Sequence, residues 1–313
     1  IEQPDLNWRN PEVERAMHNV LRFWMDRGVD GFRIDVMDRI LKDPELRDNP
    51  PNPRREYVKR LGMAALQLHT QDQNWPDIID SVRRIREVAD EYPERMTVGE
   101  VFGPPEQIVK YYGGDAVDGL HLAFNFPFVR IFGERWSANH LRKQVDAFEA
   151  ALPEGAWPNY VFGNHDVDRF ISRVDADGRG LERARVAAVL LLTLRGTPFI
   201  YYGEEIGMAN VDVPEDRLQD PARRYGRGRD PERTPMQWTR AGGFSKGEPW
   251  LPYGDLSRNA EDQARDAASM LSLYRKLLRV RRASKALTHG DYADVQDVPD
   301  GVYAYTRQHE AER

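Results

Sequence analysis

The sequence contains no cysteine, which removes disulfides, thiolate metal sites and cysteine nucleophiles together. It also lacks a long apolar run. The longest, Val186 to Leu194, stops at Arg195 and is far below the roughly 20 residues a bilayer-crossing helix needs. No membrane partner is expected. An excess of positive charge is missing as well: 45 Lys+Arg stand against 51 Asp+Glu, a formal net charge of −6. A dedicated nucleic-acid binder should carry a basic face, so no nucleic-acid partner is expected either. Internal repeats and low-complexity tracts are absent. What remains is a chain of 313 residues, 40% apolar and 10% aromatic, able to build a real core and near the size of one large α/β domain plus a little more. It begins at Ile1 rather than Met, and no charged-then-apolar leader follows. The expectation is a piece of a longer chain, cytoplasmic in preference to secreted.

Hydrophobic periodicity organises the chain. Asn10 as N-cap, Pro11 at the first helical position and Glu12 and Glu14 in the first turn predict a helix start. Val13, Met17, Val20, Leu21 and Trp24 then recur at helical spacing as far as Gly28, and the β-prone stretch Val29 to Ile34 leads into Asp35. The pattern repeats. A helix at Ile78 to Asp90 precedes a strand at Arg95 to Gly99, which ends at Glu100, and a further strand is predicted at Val117 to Phe124. A helix at Ala138 to Ala150 precedes a strand at Asn159 to Phe162, which runs into Gly163-Asn164-His165-Asp166. A helix at Leu181 to Arg195 precedes a strand at Pro198 to Tyr202, and a last long helix is predicted from Gln263 to Arg282. Strands alternating with helices of this length mean βα units and a parallel sheet, in a barrel or a doubly wound form. Two polar insertions, Leu41 to Trp75 and Met208 to Asp262, follow strands and so belong to the strand C-terminal side, where α/β enzymes build sites. From Asp291 to Arg307 the pattern changes to a β-hairpin around Pro299-Asp300-Gly301.

Asp35, Glu100 and Asp166 each end a predicted strand. Singly, such an acid is as often a turn former or an N-cap. Together they converge on one mouth of a parallel sheet, where their mutual repulsion needs a compensating cation or a use for a shifted pKa. Arg33 lies two residues before Asp35 and so points to the same face, placed to keep that carboxylate ionised as a nucleophile requires. His165, beside Asp166, offers a donor for ligand hydroxyls.

Gly31-Phe32-Arg33-Ile34-Asp35-Val36, Val98-Gly99-Glu100-Val101 and Phe162-Gly163-Asn164-His165-Asp166 resemble, in order and spacing, three signature regions of the α-amylase superfamily, glycoside hydrolase family 13. Gln3-Pro4-Asp5-Leu6-Asn7 is similar to the short region that marks its oligo-1,6-glucosidase and α-glucosidase branch. Tyr201 to Met208 resembles the segment after the last barrel strand, and Arg229 to Trp238 the loop common in that branch. The resemblance implies an α/β fold, the (β/α)8 TIM barrel, here with only its fourth to eighth strands. It implies the end of an inserted small domain over residues 1–8, barrel over 9–284 and the start of a cut C-terminal β domain over 285–313. Such a piece alone is expected to be poorly stable and inactive, since an open barrel exposes strand edges.

By the same resemblance Asp35 would be the nucleophile, Glu100 the general acid/base and Asp166 the third acid, which holds sugar hydroxyls. Arg33, His165 and Arg169 would bind substrate or orient the nucleophile. The implied activity is that of a retaining, exo-acting α-glucosidase on short oligosaccharides such as maltose or isomaltose, with α-1,4 and α-1,6 linkages both open. Val36, directly after the nucleophile, goes with α-1,6 activity in this branch. A transglycosylase or isomerase such as a trehalose synthase keeps the same three acids. The ectodomain of an amino-acid-transporter heavy chain shares the barrel, but such proteins have lost catalytic acids that are in place here. Trp75, Trp157, Trp238 and Trp250 are candidates to stack on sugar faces. No cofactor is expected. A structural calcium occurs in the family, but Asp5, Asp43 and Asp48 read as turn or surface acids and no metal is assigned.

Overall fold

Asn10 opens the first helix as its sequence predicts. Its Oδ1 accepts the Glu12 N–H at 3.0 Å, and α1 runs over Pro11–Met25. The structure is a computed structural model that describes residues 4–53, 66–131, 135–224 and 228–313. Gln3 of the branch-marking segment, and parts of both polar insertions (54–65 and 225–227), lie outside the described residues. The chain divides into two units, Ile1–Asn125 with Phe148–Pro158, and Phe126–Ala147 with Asn159–Arg313.

In the first unit α1 pairs with α2, Ile78–Asp90, whose bounds match the prediction. Arg84 Nε reaches Glu14 Oε1 at 2.7 Å and Arg22 Nε reaches Glu91 Oε2 at 2.7 Å, fixing the two helices on their exposed sides. The buried face of α2, with Ile78, Val82 and Ile85, packs into a core completed by Met37, Ile108, Tyr111, Leu120 and Phe148. Three parallel strands lie beside it: β1, Gly31–Ile34, pairs with β2, Met96–Gly99, which pairs with β3, Leu122–Ala123. The third strand is far shorter than the predicted Val117 to Phe124. Gly113, Gly114 and Val117 all take left-handed φ, and Gly114–Ala116 forms a 3₁₀ turn, so turn geometry overrides the β-prone composition until Leu122.

In the second unit β4, Asn159–Val161, pairs in parallel with β5, Thr197–Phe199. The helix α3, Ala138–Ala151, precedes β4, and α4, Gly180–Thr193, precedes β5. The single long helix predicted from Gln263 to Arg282 is two, α5 at Ala260–Arg265 and α6 at Met270–Ala283. Ser269 breaks it: its Oγ accepts the Ser272 N–H at 3.1 Å and starts a new helix, the preference that makes serine a cap and a poor helix interior. The hairpin is present, with β6, Asp291–Asp294, antiparallel to β7, Tyr305–Gln308, and Gly301 in its connection. Buried arginines close the end of α4. Arg281 Nη1 donates to the carbonyls of Leu192 and Leu194 at 3.0 and 3.1 Å, and Arg307 Nη1 to that of Thr193 at 2.9 Å. Cations at a helix C-terminus satisfy orphan carbonyls and oppose the negative end of its dipole. Among the described residues no helix is long and apolar enough to cross a membrane.

Candidate active site

Asp35 and Glu100 each follow a strand directly, whereas Asp166 lies in the turn beyond the end of β4 at Val161. In the first unit the backbone ladder continues one step past both strand ends, with Glu100 N–H on the Ile34 carbonyl and Met37 N–H on the Glu100 carbonyl, both at 2.8 Å. This fixes Asp35 and Glu100 side by side. Arg33 bridges them, its Nη1 donating to Asp35 Oδ1 and its Nη2 to Glu100 Oε2 at 2.6 Å. The two acids differ sharply in burial, for the Asp35 side chain is 70% exposed and that of Glu100 3%. Burial is the first cause that pushes the Glu100 carboxyl up to about 7, and its hydrogen bond to Asp35 is the second. The Arg33 guanidinium acts in the opposite direction and falls short. One acid is therefore open and ion-paired while its neighbour holds a proton near neutral pH.

Two features of this unit were not legible in the chain. Val36 takes φ 36° and ψ 49°, left-handed values that cost a β-branched residue about 1–2 kcal/mol. That turn aims its N–H at Glu100 Oε2, 3.3 Å away. Asp38, fully buried, accepts the Phe102 N–H at 2.9 Å and Gln73 Nε2 at 2.6 Å through Oδ2. It thereby ties the segment after Asp35 to the segment after Glu100.

In the second unit Asp166 sits in a turn of its own, with its N–H on Asn164 Oδ1 at 2.9 Å, and His165 Nε2 lies 3.4 Å from its Oδ2. Two arginines converge on Asp166 Oδ1, Arg229 Nη1 at 2.6 Å and Arg233 Nη2 at 2.9 Å. Arg229 is itself clamped by Asp220, through Nε to Oδ2 at 2.7 Å and Nη2 to Oδ1 at 2.9 Å. That pairing holds the Asp220 carboxyl far below the usual range. Neither arginine was singled out from sequence, although both stand in the charged run Arg227-Gly228-Arg229-Asp230-Pro231-Glu232-Arg233, which offered the signal. Arg169 is buried, with Nη1 on the Tyr202 carbonyl at 2.7 Å and its guanidinium over the rings of Tyr201 and Tyr202. The structure thus brings Arg33, Asp35 and Glu100 together in one unit, and His165 and Asp166 in the other, where Arg169 is held against Tyr202.

Also in the second unit, Glu204 accepts the Tyr201 N–H through Oε2 at 3.3 Å, while its Oε1 is buried without a hydrogen-bond partner. Gly163 makes room for it, since a Cβ there would lie 2.6 Å from Oε1. Burial raises the Glu204 carboxyl to about 8. A carboxyl whose pKa is higher folded than unfolded stabilises the fold fully below its unfolded value near 4.3, and that stability is lost as pH rises through the folded value. In the full-length protein Glu204→Gln should therefore flatten the fall of Tm between about pH 4.3 and 8, recovering up to ~5 kcal/mol at the alkaline end. Superimposable Tm–pH curves for the two proteins would show that Glu204 carries no such penalty.

Of the four candidate tryptophans, Trp75 packs on the core of the first unit and the Trp157 carbonyl accepts the Tyr112 hydroxyl at 3.2 Å. Trp238 and Trp250 line an open cavity in the second unit. Asp43 is a turn acid, accepting N–H groups of Glu45 and Arg47 at 3.2 and 3.1 Å and pairing with the Arg47 guanidinium. Among the described residues no group of three or more His, Asp or Glu is placed to hold a metal ion.

The family model for the α-amylase catalytic domain matches residues 1–290. The chain belongs to the α-amylase family. It is 38% identical to the Probable alpha-glucosidase of Rhizobium meliloti (strain 1021), over 99% of this chain and 58% of that protein. It is 33% identical to the Oligo-1,6-glucosidase of Parageobacillus thermoglucosidasius, over 97% of this chain and 59% of that protein. Among solved structures, that of the alpha-glucosyl transfer enzyme XgtA matches with a TM-score of 0.87 at 34% identity, covering 99% of this chain and 59% of the other. The chain spans a little under three-fifths of the length of these relatives, and the five parallel strands among the described residues are part of the α-amylase TIM barrel.

Proposed function

We propose that the protein to which this chain belongs is a retaining, exo-acting α-glucosidase that cleaves short oligosaccharides through a covalent glucosyl-enzyme. The observation that carries this reading is the asymmetric pair, an exposed Asp35 paired with Arg33 beside a buried Glu100 whose carboxyl is raised to about 7. A retaining glycosidase requires that division, one carboxylate to attack and one carboxylic acid to protonate the leaving oxygen. Asp35 attacks the anomeric carbon while Glu100 gives its proton to the glycosidic oxygen, and the leaving sugar departs as an alcohol. Glu100, now a carboxylate, takes a proton from water as that water attacks the anomeric carbon and frees Asp35. Arg33 spans the two carboxyls, and a working retaining pair stands roughly 5 to 5.5 Å apart. In the second unit His165, Asp166 and the arginines on Asp166 offer donors and acceptors suited to sugar hydroxyls.

The relatives named as an α-glucosidase and an oligo-1,6-glucosidase support glucoside hydrolysis and leave α-1,4 and α-1,6 linkages both in play. A second reading, glucosyl transfer to another sugar, is favoured by the likeness to an alpha-glucosyl transfer enzyme. Both use the same covalent step and differ in whether water or a sugar hydroxyl takes the glucosyl group. The test is a panel of maltose, isomaltose, trehalose and sucrose with the full-length protein, scoring free glucose against transfer product. Glucose in excess is expected. Predominant transfer product would establish the second reading, and no cleavage of any of the four would remove the glucosidase assignment.

A further inference from the structure

We propose that Asp38, joined to Gln73 and Asn74 at the end of the first polar insertion, is a positioning residue that holds the segments after β1 and β2 together and so sets the placement of Glu100 beside Asp35. The chemical role rests on the glucosidase reading above, while the geometry lies wholly within the first unit. Asp38 stands three residues after Asp35 and Phe102 two after Glu100, so the bond from Phe102 N–H to the Asp38 carboxyl closes a short loop around the acid pair. The backbone closes the other side, with Met37 N–H on the Glu100 carbonyl.

Packing alone does not explain a carboxyl at this place. The Asp38 side chain is fully buried, and its Oδ1 has no hydrogen-bond partner among the described residues. A bare polar oxygen in a core costs stability, and an apolar side chain would avoid that cost. What the carboxyl supplies is a single oxygen, Oδ2, that accepts Gln73 Nε2 at 2.6 Å and Phe102 N–H at 2.9 Å together. It is a junction between three stretches of chain.

The insertion is fastened on its other side as well. Asn74 N–H donates to the Asp38 carbonyl at 2.7 Å, and Asn74 Oδ1 accepts Gln107 Nε2 and the Tyr111 hydroxyl, each at 2.8 Å, from the helical turns that follow Phe102. Asn74 takes φ 53°, a left-handed value that asparagine tolerates better than most residues. Residues 73 and 74 thus bridge the chain after Asp35 and the chain after Glu100. The charged groups that face Glu100 are Arg33 from β1 and Asp35 from the turn after it, and those that face Asp38 are its neighbour Arg39 and the Tyr111 phenol. Burial is the first cause that keeps the proton on Glu100, so a junction that keeps the two segments closed keeps that proton in place.

The test uses the full-length protein, well below the Tm of each variant. Asp38→Ala removes the junction, whereas Asp38→Asn keeps an oxygen for both donors; both are neutral, so an effect of charge alone would appear equally in the two. In Asp38→Ala kcat on maltose is expected to fall about ten- to 100-fold with KM little changed, and the alkaline limb of kcat/KM to move down by about one pH unit as water reaches Glu100. Asp38→Asn should restore most of both losses. A lower Tm in Asp38→Ala with rate and limb unchanged would make Asp38 purely structural and overturn the proposal, as would equal shifts in the two variants. Should Asp38→Ala fail to fold, Gln73→Ala, at a partly exposed position, is expected to give the same two changes in smaller size, and no change in either overturns the proposal. An infrared titration of the Glu100 carboxyl, identified as the protonated band missing from Glu100→Gln, reads the same shift without turnover. A downward shift in Asp38→Ala or Gln73→Ala supports the positioning role even if no glucoside is cleaved, and an unmoved titration rejects it whatever the substrate.

Discussion

Asp35→Asn in the full-length protein is expected to lower kcat/KM on maltose by about 10⁴-fold or more, with the fold and Tm little changed. The replacement is isosteric at a side chain that is 70% exposed, so little packing is disturbed. Its amide oxygen can still accept from Arg33. On the proposed mechanism what is lost is the negative charge that attacks the anomeric carbon and then departs from it, and the acid beside it cannot take its place. Glu100 is the neighbouring acid, yet it is buried, bound by Arg33 and by the Val36 N–H, and needed as the proton donor in the same step. Steady-state rates on maltose, with Tm measured alongside, check this. Activity within about tenfold of wild type at an unchanged Tm would mean that Asp35 is not the nucleophile.

The acids could be found in the chain because each comes after a short β-prone run, and the neighbouring parallel strands β1 and β2 end on the same side, which sets Asp35 beside Glu100. Arg33 was legible through the two-residue alternation of a strand. Most helices were legible as well, through caps and spacing, with α2 matching to the residue. The rest depended on tertiary information. Nothing local to Val36 predicts a left-handed backbone, since a β-branched residue after a strand favours continuation. The turn is imposed by the ladder that ties Met37 to Glu100. Asp38 appeared as one more polar residue in a loop, because its partners Gln73 and Phe102 lie 35 and 64 positions away. The same separation hid Arg229 and Arg233, which reach Asp166 from 63 and 67 residues along the chain. The difference between Asp35 and Glu100 has the same origin. Both are acids at strand ends, and only burial in the fold sets one apart as a proton donor.

That difference predicts the behaviour of Glu100→Gln. In the wild type kcat/KM on maltose should fall as pH rises through about 7, where the buried carboxyl gives up its proton. Glutamine keeps the shape and the acceptor for Arg33 but has no proton to transfer, so this alkaline limb should vanish and the rate below it should drop by about 10² to 10⁴-fold. On the proposed mechanism turnover has two chemical steps, and Glu100 serves in both, first as acid and then as base. kcat/KM reports only the steps up to the first irreversible one, the departure of the leaving group. With p-nitrophenyl α-glucoside that group leaves as a stable phenolate and needs little protonation. Its kcat/KM should therefore fall far less than that of maltose, while kcat falls because water must still attack the glucosyl-enzyme without a base. Equal losses of kcat/KM on the two substrates would show that Glu100 does not donate the proton, and an alkaline limb persisting near pH 7 would place the titrating acid at another residue.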